Sequence, residues 1–294
     1  MRRKIAIIGG AGKMGRWFTI YFANNEENTV FVYDKKRPYV RKLKSVTYCS
    51  SLRQCIQDAD YVLITVSTDN IMPVIRESGL LMKPGSALLE ISSIKKNIAN
   101  SLRGIPKFII PISIHPMFGP GAKRLEDTKI LIIPVREADE EKRKLISIMG
   151  DAQILVIENA RRHDKLMALI LGLVYFINLV LASAISTESM DKLNKYSGTT
   201  FTLQSILLHS ILIDEPSLIN SILIDNYELR SYLKNFKKEI NNFFMLIDSR
   251  NRIALEREVR KLKRHYGRNN EVNLSYERMY SLVSKMVKKK GSKI

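Results

Sequence analysis

Cysteine, histidine and tryptophan are scarce in this chain of 294 residues, which has two, four and one of them. Two cysteines, Cys49 and Cys55, are too few for a disulfide framework, and their spacing fits no metal-ligand pattern. That excludes a stapled secreted domain and a zinc module. A leader-like segment is also missing, because "MRRKIAIIGG" runs at once into strand-like and glycine-turn residues; the expectation is a cytoplasmic protein.

Acidic residues are in short supply, 29 against 48 Lys and Arg, for a net charge of +19. Phosphate-backbone binding needs that excess to be clustered. Residues 1–157 carry 25 basic and 15 acidic groups and residues 158–294 carry 23 and 14, so the excess is spread evenly. The one dense run is the tail "KMVKKKGSK". The distribution argues against a nucleic-acid partner, and a basic surface equally suits acidic metabolites.

Long apolar runs are few, and the one to weigh is Leu166 to Ile185, twenty residues without a charge. Its length suits a membrane span. It nevertheless contains Gly172, Asn178 and Ser183, is flanked by "RRHDK", and stands alone. We expect no membrane insertion but a helix buried by neighbouring helices or by a partner subunit.

What the chain does have is a change of texture near residue 159. Before it, eight apolar, β-rich runs alternate with helical stretches: "KIAIIGG", "TVFVYD", "SVTYCS", "DYVLITVS", "SALLEISS", "KFIIPISI", "KILIIPV" and "AQILVIE". Continuous apolar strands separated by helices mean a mostly parallel sheet covered on both faces. Beyond residue 159 apolar residues recur at three- and four-residue spacing only. The expected fold is α/β, a Rossmann-type doubly wound sheet over 1–158 followed by an all-helical domain over 159–294, with breaks at "YSGTT", "DEPS" and "YGRNNEVN".

"IAIIGGAGKMGRWF" carries Gly10, Gly12 and Gly15 in GxGxxG spacing between a strand and a helix. There Gly10 permits a tight turn, Gly12 lets backbone approach a pyrophosphate, and Gly15 lets helix and strand pack closely. Gly10, Ala11, Gly12, Lys13, Met14 and Gly15 therefore form a dinucleotide cradle at a helix N-terminus. Asp34 ends the second strand, nineteen residues after Gly15, where a carboxylate reads ribose hydroxyls and repels a 2′-phosphate. The expected cofactor is NAD, with NADP possible because Lys35, Lys36 and Arg37 follow. Ser67, Thr68 and Ser92 sit at strand ends where such a domain lines the nicotinamide path.

"PISIHPMFGPGAK" fixes His115 between an apolar strand and rigid turn residues, at the strand end where open α/β sheets bind ligands. Ser93, in "EISSIKK", shares that edge.

The combination of the glycine turn, "SSIK", "HPMFGP" and "HDKLMA" resembles the prephenate dehydrogenase family over residues 1 to about 240. The resemblance implies NAD-dependent oxidative decarboxylation of prephenate, or of arogenate, in tyrosine biosynthesis. It implies that His115 accepts the ring-hydroxyl proton as hydride leaves for NAD, helped by Ser93, and that the helical domain forms a homodimer. In that family the long helix often carries a second substrate-facing histidine; the corresponding position here is Tyr175. An arginine usually met on the next helices is absent from "TTFTLQSILLHSIL". A substrate with two carboxylates needs cationic partners, and Lys123 and Arg230 are the candidates. His163 could fix a domain interface or lie near the cofactor. The competing readings are another small-acid dehydrogenase and a nucleotide-sensing or nucleic-acid-binding protein on a dehydrogenase scaffold.

Overall fold

The computed structural model describes residues 2–36, 45–267 and 270–291. The chain divides into two compact units, residues 1–168 with 216–226, and residues 169–215 with 227–294. In the first unit all eight apolar runs form strands: β1 (Arg3–Ile8), β2 (Asn28–Tyr33), β3 (Val46–Tyr48), β4 (Tyr61–Ile64), β5 (Ala87–Glu90), β6 (Ile110–Pro116), β7 (Lys129–Ile133) and β8 (Gln153–Val156). They make one sheet of order β3-β2-β1-β4-β5-β6-β7-β8. Every neighbouring pair is parallel except β6 with β7.

Strand residues alternate between the two faces, and both faces are covered. Ile5, Ile7, Val30, Val32, Leu63 and Leu89 pack on one side with Phe18 and Phe22 of α1 (Lys13–Ala23) and with Leu145 of the later helix 138–149. Ala6, Ile8, Val62, Ile64 and Leu88 pack on the other with α2 (Leu52–Ile56), α3 (Thr68–Leu81) and α4 (Lys96–Arg103). Two buried faces explain why these strands read as unbroken apolar runs. Helices α5 (Ala138–Met149) and α6 (Ala160–Met167) complete this part of the unit.

The second unit is helical. A π-helical turn, Ala168–Gly172, leads from α6 into α7 (Leu173–Ala184), followed by α8 (Met190–Tyr196) and α9 (Thr199–Leu212). The chain then returns to the first unit for α10 (Pro216–Asn220) and a second π turn, Ser221–Asp225. Pro216 begins α10, where its missing N–H costs nothing. Helices α11 (Leu229–Asp248), α12 (Arg252–Tyr266), α13 (Asn270–Asn273) and α14 (Ser275–Gly291) follow. Helix α8 has no signal in the sequence, because "MDKLNKY" buries no residue and shows no apolar stripe.

The apolar run at 166–185 is helical and only partly covered by its own chain: Met167, Ala168, Gly172 and Asn178 are buried, whereas Leu169, Ile170, Ile177 and Val180 are between 39% and 50% exposed. Neighbouring helices of the chain alone do not bury it on all sides, which leaves the partner subunit as the expected cover. Helix Ala160–Ala184 is long and apolar enough to cross a membrane by length and composition.

The glycine turn has a different division of labour from the expected one. The positive φ of the turn, +92°, belongs to Gly9, whose N–H donates to Tyr33 O at 2.9 Å. Gly10 instead faces Val32, whose Cγ1 lies 2.2 Å from where a Cβ would stand. A Cβ on Gly15 would stand 2.2 Å from Gly9 O and 2.8 Å from Gly10 Cα, both backbone atoms that cannot step aside. Gly12, at φ −69°, has its nearest backbone neighbour at 3.4 Å. The positions separate fold from binding. Gly15→Ala should lower the unfolding free energy by about 1–3 kcal/mol through overpacking. Gly12→Ala should leave it within about 0.5 kcal/mol, as an unstrained substitution does, yet weaken dinucleotide binding. Denaturant unfolding and a cofactor titration of each variant check both halves.

Candidate active site

The carboxyl ends of the central strands bring most of the expected site residues to one edge of the sheet. β1 opens into the glycine cradle, and no side chain caps α1 at Gly12, so the helix N-terminus retains its capacity for an anion. The Asp34 carboxylate, at the end of β2, accepts the N–H of Ala11 at 2.9 Å and of Lys36 at 2.8 Å. It is thereby fixed against the cradle, with lone pairs left for ribose hydroxyls. Lys13 and Met14 begin α1, and Lys35 and Lys36 are exposed. Arg37 lies outside the described residues. After β4, exposed Ser67 precedes α3 and accepts from Asn70 Nδ2 at 2.9 Å, while Thr68 is the first helical residue. A glycine backbone cradle, a helix end with no side-chain cap and a carboxylate fixed beside them fit a dinucleotide.

Beyond β5 lies a buried polar cluster that sequence reading missed. Glu90 is fully buried and holds Lys95 Nζ at 2.6 Å, an ion pair with no exposure on either side. Its carboxylate also accepts from the Ser92 hydroxyl and N–H and from the Ser113 hydroxyl. Lys95 Nζ donates in addition to Ile114 O at 2.6 Å, one residue before His115. Ser92 is thus committed to Glu90, whereas Ser93 beside it is half-buried. The signal was a lone carboxylate in the apolar strand "ALLEI" and a lysine five residues on.

His115 is 5% exposed, and its Nδ1 lies 3.0 Å from Nε2 of His163 on α6. His163 Nδ1 in turn lies 2.8 Å from Asp164 Oδ1. Asp164 accepts the N–H of Lys95 at 2.9 Å and of Lys96 at 3.0 Å, supplying the cap that α4 lacks locally. An ionised carboxylate only accepts, so His163 Nδ1 carries a proton. Neutral His163 then accepts at Nε2, His115 donates from Nδ1, and His115 Nε2 is left with its lone pair. Burial above all, then His163 and Lys95, push the His115 pKa well below the ordinary imidazole value. Burial also lowers that of His163, against the pull of Asp164. The arrangement presents a neutral imidazole of defined tautomer as a base.

The expected substrate residues are dispersed. Lys123 is exposed on the loop after His115 and lines a shallow concavity with Phe118, Arg124 and Thr128. Tyr175 and Arg230 belong to the second unit. The Tyr175 hydroxyl donates to Asp214 at 2.7 Å, and burial with that contact pushes its pKa up. Arg230 is exposed on α11.

The Glu90–Lys95 pair sets a stability test. Removing one partner leaves an uncompensated buried charge, so Lys95→Met should cost about 3–5 kcal/mol. The double variant Glu90→Leu/Lys95→Met should cost less than the sum of the two single variants, as denaturant melts of all three will measure.

Comparisons with known proteins agree with the two-part fold. Residues 23–154 match the family model described as "Prephenate dehydrogenase, nucleotide-binding domain", and residues 159–261 match "Prephenate dehydrogenase, dimerization domain". A Methanocaldococcus jannaschii protein named "Probable arogenate/prephenate dehydrogenase" is 22% identical over 90% of this chain. The chain spans 61% of that relative's length. Among solved structures, prephenate dehydrogenase from A. aeolicus in complex with hydroxyphenyl propionate and NAD+ superposes with a TM-score of 0.71 at 17% identity, over 90% of this chain and 96% of that one. Synechocystis arogenate dehydrogenase superposes with a TM-score of 0.68 at 16% identity, over 90% and 99%. With both domain models matched in order along the sequence, the chain belongs to the prephenate dehydrogenase family.

Proposed function

We propose that this protein oxidatively decarboxylates prephenate to 4-hydroxyphenylpyruvate, with NAD as cofactor, in tyrosine biosynthesis. The observation that carries the reading is the Asp164–His163–His115 chain, which leaves a neutral imidazole Nε2 on the sheet edge that also holds the glycine cradle. The dinucleotide, when bound, supplies the hydride acceptor. His115 Nε2 accepts the proton of the ring hydroxyl as the hydride leaves the carbon that bears it. The ring carboxylate then departs as carbon dioxide, its bonding electrons complete the aromatic ring, and the phenolate oxygen so formed takes the proton back from His115. His163 remains a hydrogen-bond partner, and Asp164 stabilises positive charge spread over the two imidazoles. Ser93, on the same edge, is assigned to orient the hydroxyl or the nicotinamide.

NAD is favoured over NADP because the fixed Asp34 carboxylate repels a 2′-phosphate. The names of the relatives keep arogenate as the second substrate. Lys123 and Arg230 are the proposed partners of the substrate carboxylates, and Tyr175 is proposed as a further substrate contact. We assign the protein to the cytoplasm, with neither a membrane nor a nucleic-acid partner. Its second unit would pair two copies through the exposed apolar face of residues 169–180. A dimer by light scattering at micromolar concentration is the expected result; a monomer, or partition into membranes, would overturn that assignment.

The activity is tested by mixing the protein with NAD and either prephenate or arogenate and following the absorbance of the reduced cofactor. His115→Asn should lower kcat by about 10²- to 10⁴-fold with a smaller change in KM. Asp164→Asn tests the tautomer. An amide there must set its N–H₂ against the N–H of Lys95 or of Lys96, since both carboxylate oxygens accept backbone bonds, so the support of His163 is disturbed and kcat should fall by about 10²-fold or more. The base works only when neutral, and its pKa is depressed, so the acid limb of kcat should lie below pH 6.5. Near-wild-type turnover in His115→Asn would remove the imidazole from the mechanism.

A further inference from the structure

The single tryptophan of the chain is not accounted for by the chemistry above. Trp17 lies on α1, two residues after Gly15, yet its side chain reaches the loop that follows His115. The indole Nε1–H donates to Ala122 O at 2.7 Å. The ring packs against Phe118 with centroids 4.8 Å apart, stacks on Tyr21 at 5.5 Å and meets Phe18 edge-on at 5.0 Å. Phe118 and Ala122 flank Gly119, Pro120 and Gly121, so one side chain grips both ends of this stretch. The stretch itself has little else to hold it. A Cβ on Gly119 or on Gly121 would meet nothing within 4 Å, and the hydrogen bond from Ala122 N to Gly119 O is internal to it.

Glycines without packing leave a segment free to sample many conformations unless its flanks are fixed. The flanks here are fixed to the helix whose N-terminus forms the nucleotide cradle. The loop begins two residues after His115 and carries Lys123. We propose that Trp17 is a positioning residue that holds the Phe118–Ala122 segment at the mouth of the His115 site, and so sets the affinity for the acidic substrate without touching substrate or cofactor. The inference rests on the dehydrogenase reading for its kinetic consequence, but not for the loop contact itself.

Two variants separate the contributions: Trp17→Leu removes both the indole N–H and the aromatic packing, and Trp17→Phe removes the N–H and part of the ring but keeps an aromatic face. In steady-state assays with NAD and prephenate, Trp17→Leu should raise the substrate KM by about fivefold or more and Trp17→Phe by less. The Kd for NAD, measured by titration without substrate, and the acid limb of kcat should stay at wild-type values. Unchanged KM in both variants would overturn the proposal. So would a loss of NAD affinity parallel to that of the substrate, because it would reduce Trp17 to a support of α1. Amide hydrogen exchange of residues 117–124 needs no turnover, and Trp17→Leu should speed it by about tenfold there while leaving β1 and β4 protected. Unchanged exchange overturns the proposal. If wild-type protein oxidises neither prephenate nor arogenate while this exchange difference appears, the dehydrogenase reading has failed and the loop clamp has not.

Discussion

Asp164 accepts hydrogen bonds from the N–H groups of Lys95 and Lys96 and from the ring of His163, and most of what is distinctive about the site depends on that one carboxylate. It closes the N-terminus of α4, where no local side chain does so, and ties α6 to the end of β5. It also decides which nitrogen of each imidazole bears hydrogen. A helix cap and a tautomer are thus settled by the same group. The side-chain amide of Asn226, donating to Asp164 O at 2.9 Å, anchors the backbone of that residue in turn.

Beneath this arrangement, the sheet supplies rigidity by steric means. The cradle is closed by backbone: Gly15 lies so near Gly9 O that no side chain fits, and Gly9 alone takes the left-handed conformation. A buried ion pair occupies the space under His115, with Ser113 opposite Glu90 in the register of β5 and β6. Such a pair adds little net stability once its desolvation is counted, but it ties the ends of two strands to Lys95, the residue just before α4. Its value lies in holding the imidazole pair in a dry, defined setting.

The fold was legible in the sequence because both of its periodicities are strong. Eight unbroken apolar runs became eight strands, and "TTFTLQSILLHSIL" is helical from its first residue to its last. The cradle and His115 were legible because glycine spacing and proline-flanked histidine leave few alternatives. Asp34 was located correctly, but its bond to Ala11 N was not foreseen, since sequence spacing does not say that the second strand end folds back onto the turn. Glu90, Lys95 and Asp164 escaped notice because the contacts that join them run between elements, Ser113 to Glu90 across 23 residues and the N–H of Lys95 to Asp164 across 69. Only Glu90 carried a local mark of burial, as the lone carboxylate of an apolar strand. The run at 166–185 was legible as a helix and no further, for composition records how apolar a helix is and not which molecule covers it.

The single antiparallel pairing of the sheet, β6 with β7, has a consequence for how this site divides its recognition. A parallel continuation would require a crossover helix after β6, with one more positive helix end at the same edge. The reversal puts a hairpin loop there instead. Under the proposed function, anion binding on the dinucleotide side would come from main-chain dipoles, which replacing an exposed side chain leaves in place, whereas the side beyond His115 would depend on whatever side chains the loop displays. Acid specificity would then change by ordinary replacement within residues 117–128, leaving the cofactor side as it is.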